Sequence, residues 1–187
     1  MGSINVLPVE GEAALKNGQA LLIRRPVPED AAVMVAYLNE VGGESENLLF
    51  GKNEFRLTVE QEAEYIRNQA GDPSYCMLIG HAGSELVSIA LISCPKRKRI
   101  AHNAEISISV RKSWWGRGVG TAMMERLLSF AKNSGTIRNI SLGVKASNAS
   151  AIALYGKMGF QIIGTHRNYF NIDGLYDDEH IMDLNLK

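Results

Sequence analysis

The stretch VRKSWWGRGVGTAMMERLL, Val110 to Leu128, places three glycines within five positions, Gly116, Gly118 and Gly120, and then turns at once into an apolar run. Glycine costs conformational entropy in regular structure, so a cluster at the mouth of a helix needs a reason. Beyond it Val119, Met123, Leu127 and Phe130 recur at i, i+4, i+8 and i+11, which predicts a helix to about Asn133 with Gly135 as its stop. Before it AEISISV, residues 104–110, alternates apolar and polar side chains with period two, the pattern of a half-buried strand. A strand that feeds a glycine turn and a helix N-terminus gathers unpaired N–H groups at the positive end of the helix dipole. That arrangement suits a phosphate, with the glycines supplying positive φ and room for close approach. The same glycines would also serve a plain strand-to-helix bend.

The spacing narrows the phosphate ligand. A dinucleotide fingerprint needs glycines at relative positions 0, 2 and 5, yet the third falls on Thr121 counting from Gly116 and on Met123 counting from Gly118. The Gly-Lys-Ser/Thr of a P-loop is absent from the stretch. NISLGV, residues 139–144, reads as the next strand, so Ile108 to Val144 is strand, helix, strand and predicts a parallel crossover. NASAIALYGKMG, residues 148–159, follows as a second amphipathic helix closed by Gly159. Gly156 sits inside it, where glycine costs about 1 kcal/mol relative to alanine, and close packing is the expected reason.

Outward from this core, Asn17-Gly18 marks a tight turn before a strand over about residues 20–25, ended by Pro26. VPEDAAVMVAYLNEV, residues 27–41, predicts a first helix with Ala32, Val35, Ala36 and Leu38 facing inward. A polar loop runs from Gly42 to Glu54, and Thr58 with Gln61 then forms a capping box for a second helix that Gly71 ends. SYCMLIG and ELVSIALISC, residues 74–80 and 85–94, flank a Gly83 turn as antiparallel strands, and FQIIGTHRNYF with DEHIMDLNL, residues 160–170 and 178–186, form a last pair.

The 187 residues suit one domain, 1–187, with 45% hydrophobic and 21% charged residues and 20 basic against 20 acidic side chains. A balanced charge gives no sign of nucleic-acid or membrane binding, and PKRKR at 95–99 reads as a solvated hairpin turn, with an RNA or phosphate patch as the weaker alternative. No apolar run nears the roughly 18 residues of a membrane span, and MGSINV matches neither a leader nor the acylation pattern, so a cytoplasmic protein is expected. Cys76 and Cys94 read as reduced, packed thiols, and the four histidines form no metal-ligand spacing.

Two motifs carry a family resemblance. SVRKSWWGRGVGTAMMERLLSFAK resembles the pyrophosphate-binding motif of the GNAT superfamily of N-acetyltransferases, Gln/Arg-x-x-Gly-x-Gly/Ala, with Trp115, Gly116, Arg117, Gly118, Val119 and Gly120 on its six positions. NASAIALYGKMGF is similar to the family's second motif, with Asn148, Ala151, Leu154, Tyr155, Gly159 and Phe160 on the named positions. Trp115 departs from the pattern, standing where the family usually has Gln or Arg.

The resemblance implies an α/β fold of the α+β kind: a mixed, mostly antiparallel twisted sheet with a splayed strand pair and helices on both faces. It implies a transferase that moves the acetyl group of acetyl-CoA directly to a primary amine of a small molecule or protein, with no metal. The amides of Trp115 through Thr121 would hold the pyrophosphate, the strand edge near Ser109 and Val110 would pair with the pantetheine arm, and Asn148 would touch that arm. Tyr155 would protonate or hydrogen-bond the leaving sulfur, and Glu105 is the expected base, directly or through a water. Glu40, Glu44, Glu46 and Glu54 would rim an acceptor pocket suited to a cationic amine, with Tyr169 or Tyr176 on its other side. Dimers are common in the family, so a homodimer is one expected form. Two rivals stay open: a non-catalytic acyl-CoA-binding regulatory domain, and a nucleotide-binding oxidoreductase disfavoured by the glycine register.

Overall fold

Eight strands form one sheet in the order β1-β2-β3-β4-β5-β6-β8-β7 in the computed structural model, which describes residues 7–186. The stretch MGSINV, on which the leader and acylation readings rest, lies outside those residues. The strands are β1 (Gly11–Ala14), β2 (Ala20–Arg24), β3 (Tyr75–Ala82), β4 (Glu85–Ser93), β5 (Asn103–Val110), β6 (Asn139–Lys145), β7 (Gln161–Ile172) and β8 (Leu175–Asn185). The helices are α1 (Ala31–Val41), α2 (Val59–Gln69), α3 (Val119–Asn133) and α4 (Ala149–Lys157). Every neighbouring pair is antiparallel except β5 and β6, which run parallel across the α3 crossover, as the strand-helix-strand pattern predicts.

Period-two alternation sorts the sheet's side chains into two cores. Leu21, Ile23, Cys76, Leu78, Ile92, Ala104, Ile106, Ile140 and Leu142 pack under α3 and α4. Tyr75, Met77, Ile79, Leu86 and Ile89 point the other way, against α1 and α2. A fully buried Leu or Ile contributes about 1.5–3 kcal/mol, so helix placement follows from where those side chains lie. The element α3 buries nine residues and α4 only Tyr155, so the sheet anchors α3 along its length while α4 adds half-buried Ala151, Ile152 and Leu154 against the same core.

The capping box at α2 is present, with Gln61 N–H donating to Thr58 Oγ1 at 3.2 Å and Thr58 N–H to Gln61 Oε1 at 2.9 Å. The inward face of α1 differs from expectation. Ala31, Met34, Tyr37 and Val41 are buried, whereas Ala32 and Ala36 are exposed and Val35 and Leu38 half-buried. Large side chains at 34, 37 and 41 bury more area than alanines at 32 and 36, so the helix turns that stripe to the sheet. The strand β1 carries too few apolar residues for its sequence to announce it; it pairs with β2 through the Asn17-Gly18 turn. The β7–β8 hairpin turns on Asp173 and Gly174, at φ 51° and 86°, the left-handed pair that matches strand twist. The basic run at 95–99 is an exposed turn in which Lys96 reaches Asp72 at 3.3 Å.

Candidate active site

The ladder between β5 and β6 holds only from Asn103 to Glu105, paired with Asn139 to Ser141. Beyond that rung β5 continues with β4 and β6 with β8, so the two parallel strands part. Arg111 N–H donates to Val87 O at 2.9 Å. With Ser88 opposite Val110, antiparallel alternation then turns the backbone groups of Ile106, Ile108 and Val110 away from β4 and into the opening. A cavity of about 1060 Å³ occupies the splay and is lined from both faces of the sheet.

On the α3 side the glycine turn closes one end of the cavity. Gly116 and Gly118 take φ of 74° and 98°, conformations that side chains with a Cβ resist. Gly120 has a different reason: a Cβ there would stand 3.2 Å from Leu154 Cδ2, so its absence lets α3 approach α4. The first bond of α3 runs from Ala122 N–H to Gly118 O at 3.0 Å, leaving the N–H groups of Val119, Gly120 and Thr121 at the free helix start. Arg117 is exposed and lies over the Trp114 ring, its guanidinium carbon 4.9 Å from the centroid. Lys16, 101 positions before Arg117, joins this corner by donating its N–H to Arg117 O at 3.0 Å. No sequence signal marks it.

Trp115 supplies its own explanation. Its indole Nε1–H donates to Val110 O at 2.8 Å while the ring stays 44% exposed. The aromatic side chain therefore ties the turn to the end of β5, and the backbone amides keep their place. Asn148 caps α4 by accepting Ala151 N–H at 3.2 Å on Oδ1, which leaves its NH₂ for other partners. Tyr155 is 7% exposed, stands 6.0 Å from the Phe160 ring and lines the cavity; burial pushes its phenol up to about 12. Gly156 is exposed, and a methyl group on its Cα would meet nothing within 4 Å, so close packing is not its reason. Nothing else in the structure explains it.

On the opposite face alternate residues of four strands line the same cavity. Glu105 and Ser109 come from β5, Gly143 and Lys145 from β6, Glu179 from β8 and His166 from β7. Glu105 is exposed. Ser109 Oγ lies 3.1 Å from Tyr37 Oη, and its carbonyl accepts from Ser88 Oγ at 2.7 Å, so its hydroxyl serves α1 and its carbonyl β4. Lys145 is buried and pairs with Glu46 at 3.4 Å and Asp177 at 3.8 Å.

The loop acids do not form a free acidic rim. Arg111 holds Glu40 at 2.6 Å, Glu44 at 3.2 Å and Glu85 at 3.6 Å, Lys145 holds Glu46, and Glu54 accepts Gly51 N–H at 2.7 Å. The cations that neutralise them sit on strand ends far along the chain, beyond reach of local reading. Tyr169 lines the cavity; Tyr176 is 63% exposed and does not. Both cysteines are free, and burial lifts the Cys76 thiol to about 11, which keeps it protonated. Among the described residues no group of three His, Cys, Asp or Glu side chains could hold a metal ion, and no helix is long and apolar enough to cross a membrane.

Comparison with known proteins agrees with this geometry. Residues 46–160 match the model of the acetyltransferase (GNAT) family. The chain is 33% identical over 113 residues, 60% of its length and 70% of the relative's, to the L-amino acid N-acetyltransferase AaaT of Escherichia coli strain K12. A GNAT-family acetyltransferase from Streptococcus pneumoniae superposes with a TM-score of 0.85 at 30% identity, covering 89% of this chain and 99% of that one. The fold is also that of yncA from Salmonella typhimurium, solved with its cofactor acetyl-CoA, at a TM-score of 0.76 and 18% identity over 89% of this chain and 94% of that one. Relatives that are transferases favour catalysis over acyl-CoA sensing, and the dinucleotide reading falls with the fold.

Proposed function

This chain belongs to the acetyltransferase (GNAT) family and is an acetyl-CoA-dependent N-acetyltransferase, and on that footing we propose how its cavity divides the work. The observation that carries the proposal is the passage through the sheet at the β5–β6 splay, with the glycine turn and Tyr155 on one side and carboxylates on the other. Acetyl-CoA enters from the α3 side. Its pyrophosphate lies on the amides of Trp115, Gly116, Arg117, Gly118, Val119, Gly120 and Thr121, where a helix N-terminus favours negative charge. Its pantetheine arm runs along the open edge near Ser109 and Val110, using strand hydrogen bonds, with the Asn148 NH₂ beside it.

The acceptor amine enters from the other face. An alkylammonium has a pKa of about 10.4, so it arrives charged and must lose a proton before its lone pair can attack the thioester carbonyl. Glu105, exposed at the last closed rung, receives the ammonium and takes that proton, directly or through a water. Attack gives a tetrahedral adduct whose collapse expels the CoA sulfur. With the Tyr155 phenol near 12 and a thiol near 8.5, full proton transfer to sulfur is uphill by about 5 kcal/mol. Tyr155 therefore acts as a fixed hydrogen-bond donor to the developing thiolate, present in the protonated form throughout the physiological range.

AaaT is named for L-amino acids, and we propose a primary amine of a small molecule of that kind ahead of a protein amine. The whole chain, 1–187, is read as one cytoplasmic domain, alone or as a homodimer. The test is release of free CoA across a panel of amines. Replacing Tyr155 with Phe should lower kcat at least tenfold while calorimetric CoA affinity stays within twofold; unchanged turnover would remove Tyr155 from the reaction.

A further inference from the structure

Taking that transfer reading as its basis, we propose that Glu179 is a second catalytic carboxylate, which takes the proton shed by the acceptor nitrogen after attack, and that His166 is the residue that positions it. The proton count leaves a second transfer to assign. An alkylammonium carries three protons on nitrogen and the product amide carries one. Two must leave: one before attack, so that the lone pair is free, and one from the cationic nitrogen of the tetrahedral adduct, so that the thiol and not the amine is expelled. At the end of the reaction one proton is on the CoA sulfur and one is in solvent.

Glu179 occupies the right place for the second transfer. Its Cα partner on β6 is Lys145, yet its side chain lies along the strand toward Gly143, so closely that a Cβ on Gly143 would stand 2.2 Å from Glu179 Oε1. Gly143 lies two residues past Ser141, where the β5–β6 ladder ends, and although it is in a central strand it is exposed, because the splay opens beside it. The missing side chain at 143 is therefore the room in which the carboxylate sits. Glu179 is 7% exposed and lines the cavity. His166 Nδ1 lies 2.9 Å from Oε2, and its ring stacks on Tyr169 with centroids 5.5 Å apart and an interplanar angle of 26°. Among the described residues Oε1 makes no hydrogen bond, so one carboxylate oxygen is fixed and the other is offered to the cleft.

The charges around the carboxylate fit this assignment. Glu179 pairs with His166 from β7 and shares the cavity lining with Lys145 of β6 and Glu105 of β5, while Glu46 from the loop after α1 and Asp177 of β8 approach through Lys145. Lys145 is committed to Glu46 and Asp177, and acids outnumber cations on this face. A cationic nitrogen is drawn in, and because the surrounding carboxylates favour its charged form, its proton leaves only to a base held against it. Glu179 is buried beside the open part of the splay, whereas Glu105 is exposed at its last closed rung, so the two carboxylates are fitted to different transfers.

The test separates the two protons. With acetyl-CoA and an alkylamine, both Glu105→Gln and Glu179→Gln should lower kcat/KM at least tenfold. With a hydrazide in place of the alkylamine, an acceptor neutral near pH 7, the first proton is already gone, so the loss in Glu105→Gln should shrink to within threefold while that in Glu179→Gln persists. Activity of Glu179→Gln within twofold of the unmodified enzyme overturns the proposal, and so does a loss that vanishes with the hydrazide. If Glu179→Gln loses its melting transition, His166 decides: His166→Phe should lower kcat/KM three- to tenfold with both acceptors, and His166→Asn, which keeps a donor at the Nδ1 position, should restore most of it. An unaffected His166→Phe then overturns the proposal. Absence of CoA release by the unmodified enzyme across every acceptor would instead sink the transfer reading beneath it.

Discussion

On the α3 side of the sheet the phosphate end of the cavity is shaped by one continuous stretch, from Val110 to Thr121, whose contribution is backbone: unpaired amides, two left-handed glycines and a strand edge, with Asn148 and Tyr155 of the α4 segment added beside it. On the other side Glu105, Gly143, Lys145, His166 and Glu179 come from four strands, and what they contribute is side-chain charge at a register set by the whole sheet. The first kind of site tolerates changes of side chain. Trp115 stands where a polar residue was expected, and the turn survives because the indole finds Val110 O instead. The second kind tolerates little, since each substitution moves a charge or the space that holds one.

The largest effect expected from this contrast belongs to Gly118, at φ 98° and N-cap of α3. A β-branched residue there is strained by about 1–3 kcal/mol, so Gly118→Val should weaken CoA binding at least tenfold by calorimetry and lower the melting temperature. Turnover at saturating acetyl-CoA should fall far less; an equal fall would mean that the two sides are not separable. Smaller, and on the opposite side, Gly143→Ala must push the Glu179 carboxylate aside, because 2.2 Å is inside any real contact. We expect kcat/KM for the amine to drop about fivefold with CoA affinity within twofold, and weakened CoA binding in that variant would break the contrast from the other direction.

The smallest effect is one of pH. Burial raises the Tyr155 phenol to about 12, above the ordinary value near 10, so folding favours its protonated form. That preference is fully present below pH of about 10 and is lost only as pH rises through the folded value. The ratio of kcat for the unmodified enzyme to that for Tyr155→Phe should stay flat from about pH 7 to about pH 10. A decline in that ratio below about pH 9 would show a phenol far more acidic than its burial implies.

How much can be read from sequence follows the same division. The glycine turn, both flanking elements, the α2 capping box and the parallel crossover are local patterns, and local patterns survive in one dimension. The inward face of α1 is misread from sequence because small alanines satisfy the period as well as Met34, Tyr37 and Val41, and only packing area decides between them. The four loop glutamates look like an open rim because Arg111 and Lys145 are far from them in sequence. Glu179 and His166 are invisible as a pair because the β7–β8 register shifts twice, and only the hairpin as folded sets them side by side.

The glycine at 143 also bears on the order in which this sequence can change. A methyl group there and the carboxylate at 179 claim the same volume, so the two positions are not free to drift independently. A lineage that lost the carboxylate first could then accept a larger residue on β6, whereas the reverse order passes through an intermediate with a displaced acid. Alanine at 143 should therefore be harmful beside Glu179 and nearly neutral beside a shortened residue, an epistasis written into the sheet by one missing side chain.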